Sequence, residues 1–110
     1  MSDKSGDLIQ GTLDMLVLKT LALEPMHAYG ISVRIEQMSK RVFRPNAGSL
    51  FLAIRRLQRD GLIDGEWKAT ENNRRAKYYA LTQKGRNRLN SETREWGRQA
   101  TAIARILEAS

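Results

Sequence analysis

Between Leu89 and Leu107 the sequence places Leu89, Thr93, Trp96, Ala100, Ile103 and Leu107 at intervals of four, three, four, three and four residues. That alternation puts all six on one side of an α-helix, in the pattern of a coiled-coil seam with Thr93 as its weak position. The helix carrying it reads from Gln83, after the capping residue Thr82, to Glu108. At about 1.5 Å per residue it is on the order of 39 Å long. A chain of 110 residues makes one compact domain, and such a helix overreaches it. Helix 1 is expected to cover part of the seam and a second copy of the chain the rest, with Leu89, Trp96, Ala100, Ile103 and Leu107 as the dimerisation residues. The alternative is packing wholly within the chain.

The segments before the seam give a definite order. Leu13, Leu16, Val17, Thr20 and Leu21 recur at helical spacing and predict helix 1 over Ile9 to Leu23. Pro25 disfavours helical angles at Glu24 and ends it. Helix 2 is predicted from Ala28 to Ser39, with Tyr29, Ile31, Ile35 and Met38 as its apolar stripe. The basic stretch Lys40 to Pro45 reads as a turn. Asn46 suits the N-cap of helix 3, which runs to Asp60, and Gly61 suits a left-handed C-cap. Leu62 to Lys68 and Lys77 to Leu81 have strand composition, joined by a long polar tip over Ala69 to Ala76. Residues 1–8 read as a disordered lead, 9–82 as a winged helix-turn-helix, and 83–110 as a C-terminal dimerisation helix. The fold class is mostly α with a small β-hairpin wing.

Charge is concentrated. The whole chain carries +7, yet residues 34–88 hold fourteen Lys or Arg against five acidic residues. A basic middle between near-neutral ends suits a polyanion-binding surface. In helix 3, Leu50, Ile54 and Leu57 form an inward face, while Ser49, Leu52, Arg55, Arg56 and Arg59 fall on the other. A helix fits the DNA major groove with its N-terminal part nearest the base edges. Asn46 and Ser49 are therefore candidates for bases or phosphates. Arg55 is a candidate for a guanine edge, and Arg56 and Arg59 for phosphates. Leu52 is a candidate for a thymine methyl. At the hairpin, Asn73, Arg74, Arg75 and Lys77 can follow a phosphate backbone or enter a narrow minor groove. The plainer reading makes each cation part of a solvated face.

No cysteine is present and His27 is the sole histidine, which argues against a transition-metal site. His27 is expected to help the turn into helix 2. No nucleophile–base pair, phosphate-cradling glycine loop or carboxylate cluster stands out. The expectation is a non-enzyme with no cofactor and no metal, without a membrane span and cytoplasmic.

Four ordered blocks stand out: Gly11 to Leu18, His27 to Ile31, Gly48 to Leu57 with Gly61 to Ile63, and Arg75 to Thr82 with Gly85. Together they resemble the PadR family of transcriptional regulators. Trp96 is similar to an aromatic in that family's C-terminal helix, and the short C-terminal region resembles the subfamily with a single C-terminal helix. The resemblance implies a homodimeric winged helix that binds double-stranded DNA at pseudo-palindromic operators, usually as a repressor. It also implies a small aromatic effector, held in an apolar space between subunits where Trp96 and helix 1 residues form a wall. Plain core packing is the other role open to Trp96. Two departures stand out. Phe51-Leu52 replaces a frequent Tyr-Pro, so a tyrosine–phosphate contact there does not carry over, and Ala28 replaces a frequent glycine. The alternative function is a winged-helix module for protein or RNA without operator specificity. An exposed apolar patch in place of arginine on helix 3 would favour it.

Overall fold

The structure is a computed structural model that describes residues 11–110. The expected lead over residues 1–8, and the first two residues of the expected helix 1, lie outside the described residues. The chain forms α1 (Thr12–Leu23), β1 (Met26–His27), α2 (Ala28–Met38), α3 (Ala47–Arg59), β2 (Ile63–Ala69), β3 (Arg75–Leu81) and α4 (Gln83–Glu108). The sheet is antiparallel in the order β1-β3-β2. This is the expected mostly helical class with a β-hairpin wing.

Helix spacing explains the core. Leu13, Val17, Leu18 and Leu21 of α1 meet Ile31 and Ile35 of α2, and Leu50, Ala53, Ile54 and Leu57 of α3. Leu62, Ile63 and Tyr79 close the sheet side. Each large side chain buried this way contributes about 1.5–3 kcal/mol relative to exposure. Thr20 is buried without penalty, because its hydroxyl donates to the Leu16 carbonyl at 2.8 Å.

Three expectations need correction. Tyr29 and Met38 are 76% and 52% exposed and stand outside the α2 core stripe. Tyr29 lies two residues, about 200° around a helix, from the buried Ile31. The wing tip is short. Ala69 pairs with Arg75, so only Thr70 to Arg74 form the loop. Its turn is closed by hydrogen bonds between Thr70 and Arg74 and by Asn73 in a left-handed conformation (φ 60). Arg75, Ala76 and Lys77 therefore belong to a strand. Finally, β1 adds a third strand, with Met26 opposite Tyr79 and His27 opposite Tyr78. Two residues have no periodicity to read. The pairing arises because the free edge of β3 offers unmet backbone groups.

The turn after α3 fixes where the wing and α4 begin. Gly61 takes φ 74, its N–H donates to the Gln58 carbonyl, and the Leu62 N–H reaches the Leu57 carbonyl at 2.9 Å. This Schellman pattern satisfies the last carbonyls of α3. Thr82 then docks on the same turn. Its N–H donates to the Leu62 carbonyl at 3.1 Å and its hydroxyl to the Gly61 carbonyl at 2.8 Å. The hydroxyl also accepts the Gly85 N–H and caps α4. The far end of α4 projects from the domain. The molecule measures 58 × 33 × 21 Å, and residues 101–110 are all exposed.

A Cβ on Gly85 would fall on the Leu62 carbonyl oxygen and Leu81 Cδ1. Gly85→Ala should therefore destabilise the fold by about 1–3 kcal/mol, read by urea unfolding. Helix propensity alone predicts a gain for the same change, so a more stable variant would contradict the close approach.

Candidate nucleic-acid interface

The exposed face of α3 begins at its cap. Asn46 Oδ1 accepts the Ser49 N–H at 2.9 Å, which orients the first turn and leaves the Asn46 amide hydrogens free. Leu50, Ala53, Ile54 and Leu57 face inward. Ala47, Gly48, Phe51, Leu52, Arg55 and Arg59 face out, and Ser49 is half-buried. The Arg55 guanidinium lies 5.8 Å from the centre of the Phe51 ring, one helical turn back, in cation–π range.

Ion pairs divide the cations into held and free. Arg56 is turned onto α1, where its Nη2 lies 2.8 Å from Asp14 Oδ1 and its Nε 3.4 Å from Oδ2. Arg59 pairs with its neighbour Asp60 at 3.1 Å. On the loop before α3, Arg41 and Arg44 share Glu36. Among the described residues, Arg55, Arg74, Arg75 and Lys77 have no carboxylate partner within ion-pair distance. Of the sequence candidates, these four keep their charge unspent.

The wing arranges its cations over aromatic rings. Strand register places Trp67 opposite Lys77 and Gly65 opposite Tyr79, so Trp67, Arg75, Lys77 and Tyr79 share one face. Arg75 lies 5.7 Å from the Trp67 ring and Lys77 5.9 Å from the Tyr79 ring. On the other face Lys68 lies 5.8 Å from Tyr78, which meets His27 edge-on at 5.2 Å. His27 also caps α2, its Nδ1 accepting the Gly30 N–H at 3.0 Å. That is the turn-forming role its position suggested. Trp67 is 58% exposed and was not among the candidates. The signal was an aromatic on a polar strand whose hairpin partner carries Arg75 and Lys77 at alternate positions.

The α4 seam splits. Leu89 is buried against the chain's own core, whereas Trp96, Ile103 and Leu107 are 53%, 56% and 79% exposed and Ala100 is half-buried. Packing among the described residues therefore leaves about half of Trp96 uncovered. It borders a groove of about 480 Å³ with Met15, Leu16, Lys19, Leu89, Asn90, Thr93 and Arg94, between α1 and α4. Nearby, Glu92 Oε1 is buried with no hydrogen-bond partner among the described residues. Burial pushes the Glu92 carboxyl above the usual carboxylate range; Arg88 opposes the rise and Asp14 adds to it.

Comparison with known proteins follows the same architecture. Residues 17–91 match the transcriptional regulator PadR-like family. A transcriptional regulator from Clostridium thermocellum has the same fold, with a TM-score of 0.83, 24% identity, and coverage of 98% of this chain and 99% of the other. A PadR-like transcriptional regulator from Bacillus cereus aligns with a TM-score of 0.80 and 25% identity, over 94% of this chain and 98% of its own. The protein X of Lysinibacillus sphaericus is 24% identical over 103 residues, 94% of each chain. No described helix is long and apolar enough to cross a membrane, and the described residues contain no metal-binding group of His, Cys, Asp or Glu.

Two outcomes follow from the held charges. Asp14→Ala should cost only about 0.5–1 kcal/mol, because the Arg56 pair is partly solvated, and should free Arg56 for anions. Glu92 contributes stability below its unfolded pKa, about 4.3, and that contribution is lost as pH rises through its raised folded value. Glu92→Gln should therefore raise the melting temperature at neutral pH and flatten its fall from pH 4 upward. A lower melting temperature at pH 7 would show that the carboxylate is satisfied.

Proposed function

The chain belongs to the PadR-like family of transcriptional regulators, and from that premise we propose that it works as a homodimeric repressor of pseudo-palindromic DNA operators. The observation that carries this reading is the set of unpaired cations, Arg55 on the outer face of α3 and Arg74, Arg75 and Lys77 on the wing. In this reading α3 enters the major groove and Arg55 takes a guanine edge. Asn46, Ser49 and Leu52 face the bases or the nearest phosphates. Arg59 and, once released from Asp14, Arg56 take phosphates, while Asn73, Arg74, Arg75 and Lys77 follow the backbone.

Residues 9–82 form the DNA-binding unit in this account and 83–110 the dimerisation helix. A second copy covers Trp96, Ala100, Ile103 and Leu107, with Leu89 at the inner end of the seam. Each large apolar side chain so covered adds about 1.5–3 kcal/mol. Two-fold symmetry then sets two copies of α3 about 34 Å apart, one turn of duplex. The groove beside Trp96, at about 480 Å³, falls within the range of small-molecule sites. A flat aromatic compound against Trp96 is the effector this reading assigns, acting by altering the spacing of the two α3 helices.

One observation favours the alternative of a protein-docking winged helix: Phe51 and Leu52 are each 55% exposed at the front of α3. Family membership and the unpaired arginines weigh for DNA.

The test is duplex binding across a salt series, with operators selected from a random pool. Affinity should fall steeply with salt. Arg55→Ala should cost about 1–3 kcal/mol and relax preference at one operator position, whereas Arg74→Ala should weaken all duplexes alike. Ile103→Asp should shift the sedimenting species toward monomer. A monomer at micromolar concentration that ignores duplex at low salt would remove this reading.

A further inference from the structure

The base-facing end of α3 is short of hydrogen-bonding groups. Its first turns expose Ala47, Gly48, Phe51 and Leu52. The polar side chains beside them are partly engaged: Asn46 Oδ1 is held by the Ser49 N–H, and Ser49 is half-buried. Next to Phe51 lies an apolar groove of about 590 Å³ between the starts of α2 and α3, walled by Tyr29, Pro45, Ala47 and Leu50. Tyr29 stands 76% exposed at its rim. Beyond the Asn46 amide at the cap, the first exposed side-chain donor within α3 is Arg55, whose guanidinium lies 5.8 Å from the centre of the Phe51 ring.

An aliphatic or aromatic side chain cannot read the donor and acceptor pattern of the major groove. It can read one feature there, the methyl group on C5 of a pyrimidine. We propose that the front of α3 recognises C5-methyl pyrimidines. Thymine methyls in each half-site seat on Leu52 and Phe51, and Phe51 holds Arg55 toward the adjoining base pair. Charge complementarity selects this occupant over an apolar protein segment. The patch is continued by the unpaired Arg55, and the chain's excess of cations lies in the same middle segment, residues 34–88. The methyl on thymine and the methyl on 5-methylcytosine are the same chemistry. Phe51 is thus both a contact and a positioning residue, and Leu52 a specificity-determining contact.

This proposal rests on the DNA-binding reading. Its test uses the full chain, an operator selected from a random pool, and fluorescence anisotropy at one fixed salt concentration. Each thymine of a half-site is replaced in turn by deoxyuridine, cytosine or 5-methylcytosine. Removing a methyl that sits on Leu52 should weaken binding about threefold to fivefold. At those positions thymine should exceed deoxyuridine, and 5-methylcytosine should exceed cytosine. Leu52→Ala should bind the thymine and deoxyuridine duplexes equally, with an unchanged melting temperature, since the side chain faces solvent. Phe51→Ala should lose the guanine preference at the Arg55 position while keeping its salt dependence. Selective, salt-sensitive duplex binding with no effect of deoxyuridine at any position would overturn the proposal and leave the DNA-binding reading standing. So would an equal deoxyuridine effect in the parent and in Leu52→Ala. No selective duplex binding at all would overturn both, and would point to a protein partner for the Phe51–Leu52 patch.

Discussion

Three elements meet at the Gly61–Leu62 turn. The left-handed glycine closes α3, the Leu62 side chain enters the core, and the two carbonyls that remain receive Thr82 at the head of α4. The recognition-type helix, the wing and the projecting helix therefore start from one set of hydrogen bonds. Gly85 allows α4 to lie against that turn without a Cβ between them. Because buried backbone groups are costly to leave unpaired, the directions of α3 and α4 are set together. α1 supplies a second link between them, since Asp14, beside the groove residue Met15, holds Arg56 of α3.

The surface shows a division of labour among like residues. The acidic side chains hold some arginines in place, as Asp14 does Arg56 and Glu36 does Arg44. Others lie over aromatic rings with no carboxylate near. A cation over a ring keeps its full charge toward solvent and yet loses rotamer freedom before any partner arrives. Arg55 and Arg75 combine that restraint with exposure, as the proposed contacts to phosphates and base edges require. In the proposed reading, the apolar front of α3 adds a second kind of selectivity to the same face, one that salt does not screen.

Much of this was legible from local signals. Asn46 and Thr82 were read as caps because each precedes an apolar period, and Gly61 because it follows one. The inward face of α3 came from the i, i+4, i+7 spacing of Leu50, Ile54 and Leu57. The same reasoning misplaced Tyr29, where an aromatic near an apolar stripe was counted into it although its helical angle lay opposite Ile31. It overestimated the wing tip because the basic run Arg74 to Lys77 looks loop-like, while β3 tolerates Arg75 and Lys77 on an open face. The two-residue β1 has no pattern of its own and exists only through Tyr78 and Tyr79.

By itself the sequence determined the order of elements, their caps and the buried stripes, because these depend on residues within a turn or two of one another. The tertiary structure alone decided which charges and apolar groups stay available. Arg55 and Arg56 are adjacent and chemically identical. Only the approach of Asp14, forty-two residues earlier, ties one to α1 and leaves the other in solvent. Likewise Leu89 and Trp96 share a seam, yet α1 reaches only far enough to bury the first. Electrostatic pairing and burial are properties of distance in space, and a periodicity along the chain does not contain them.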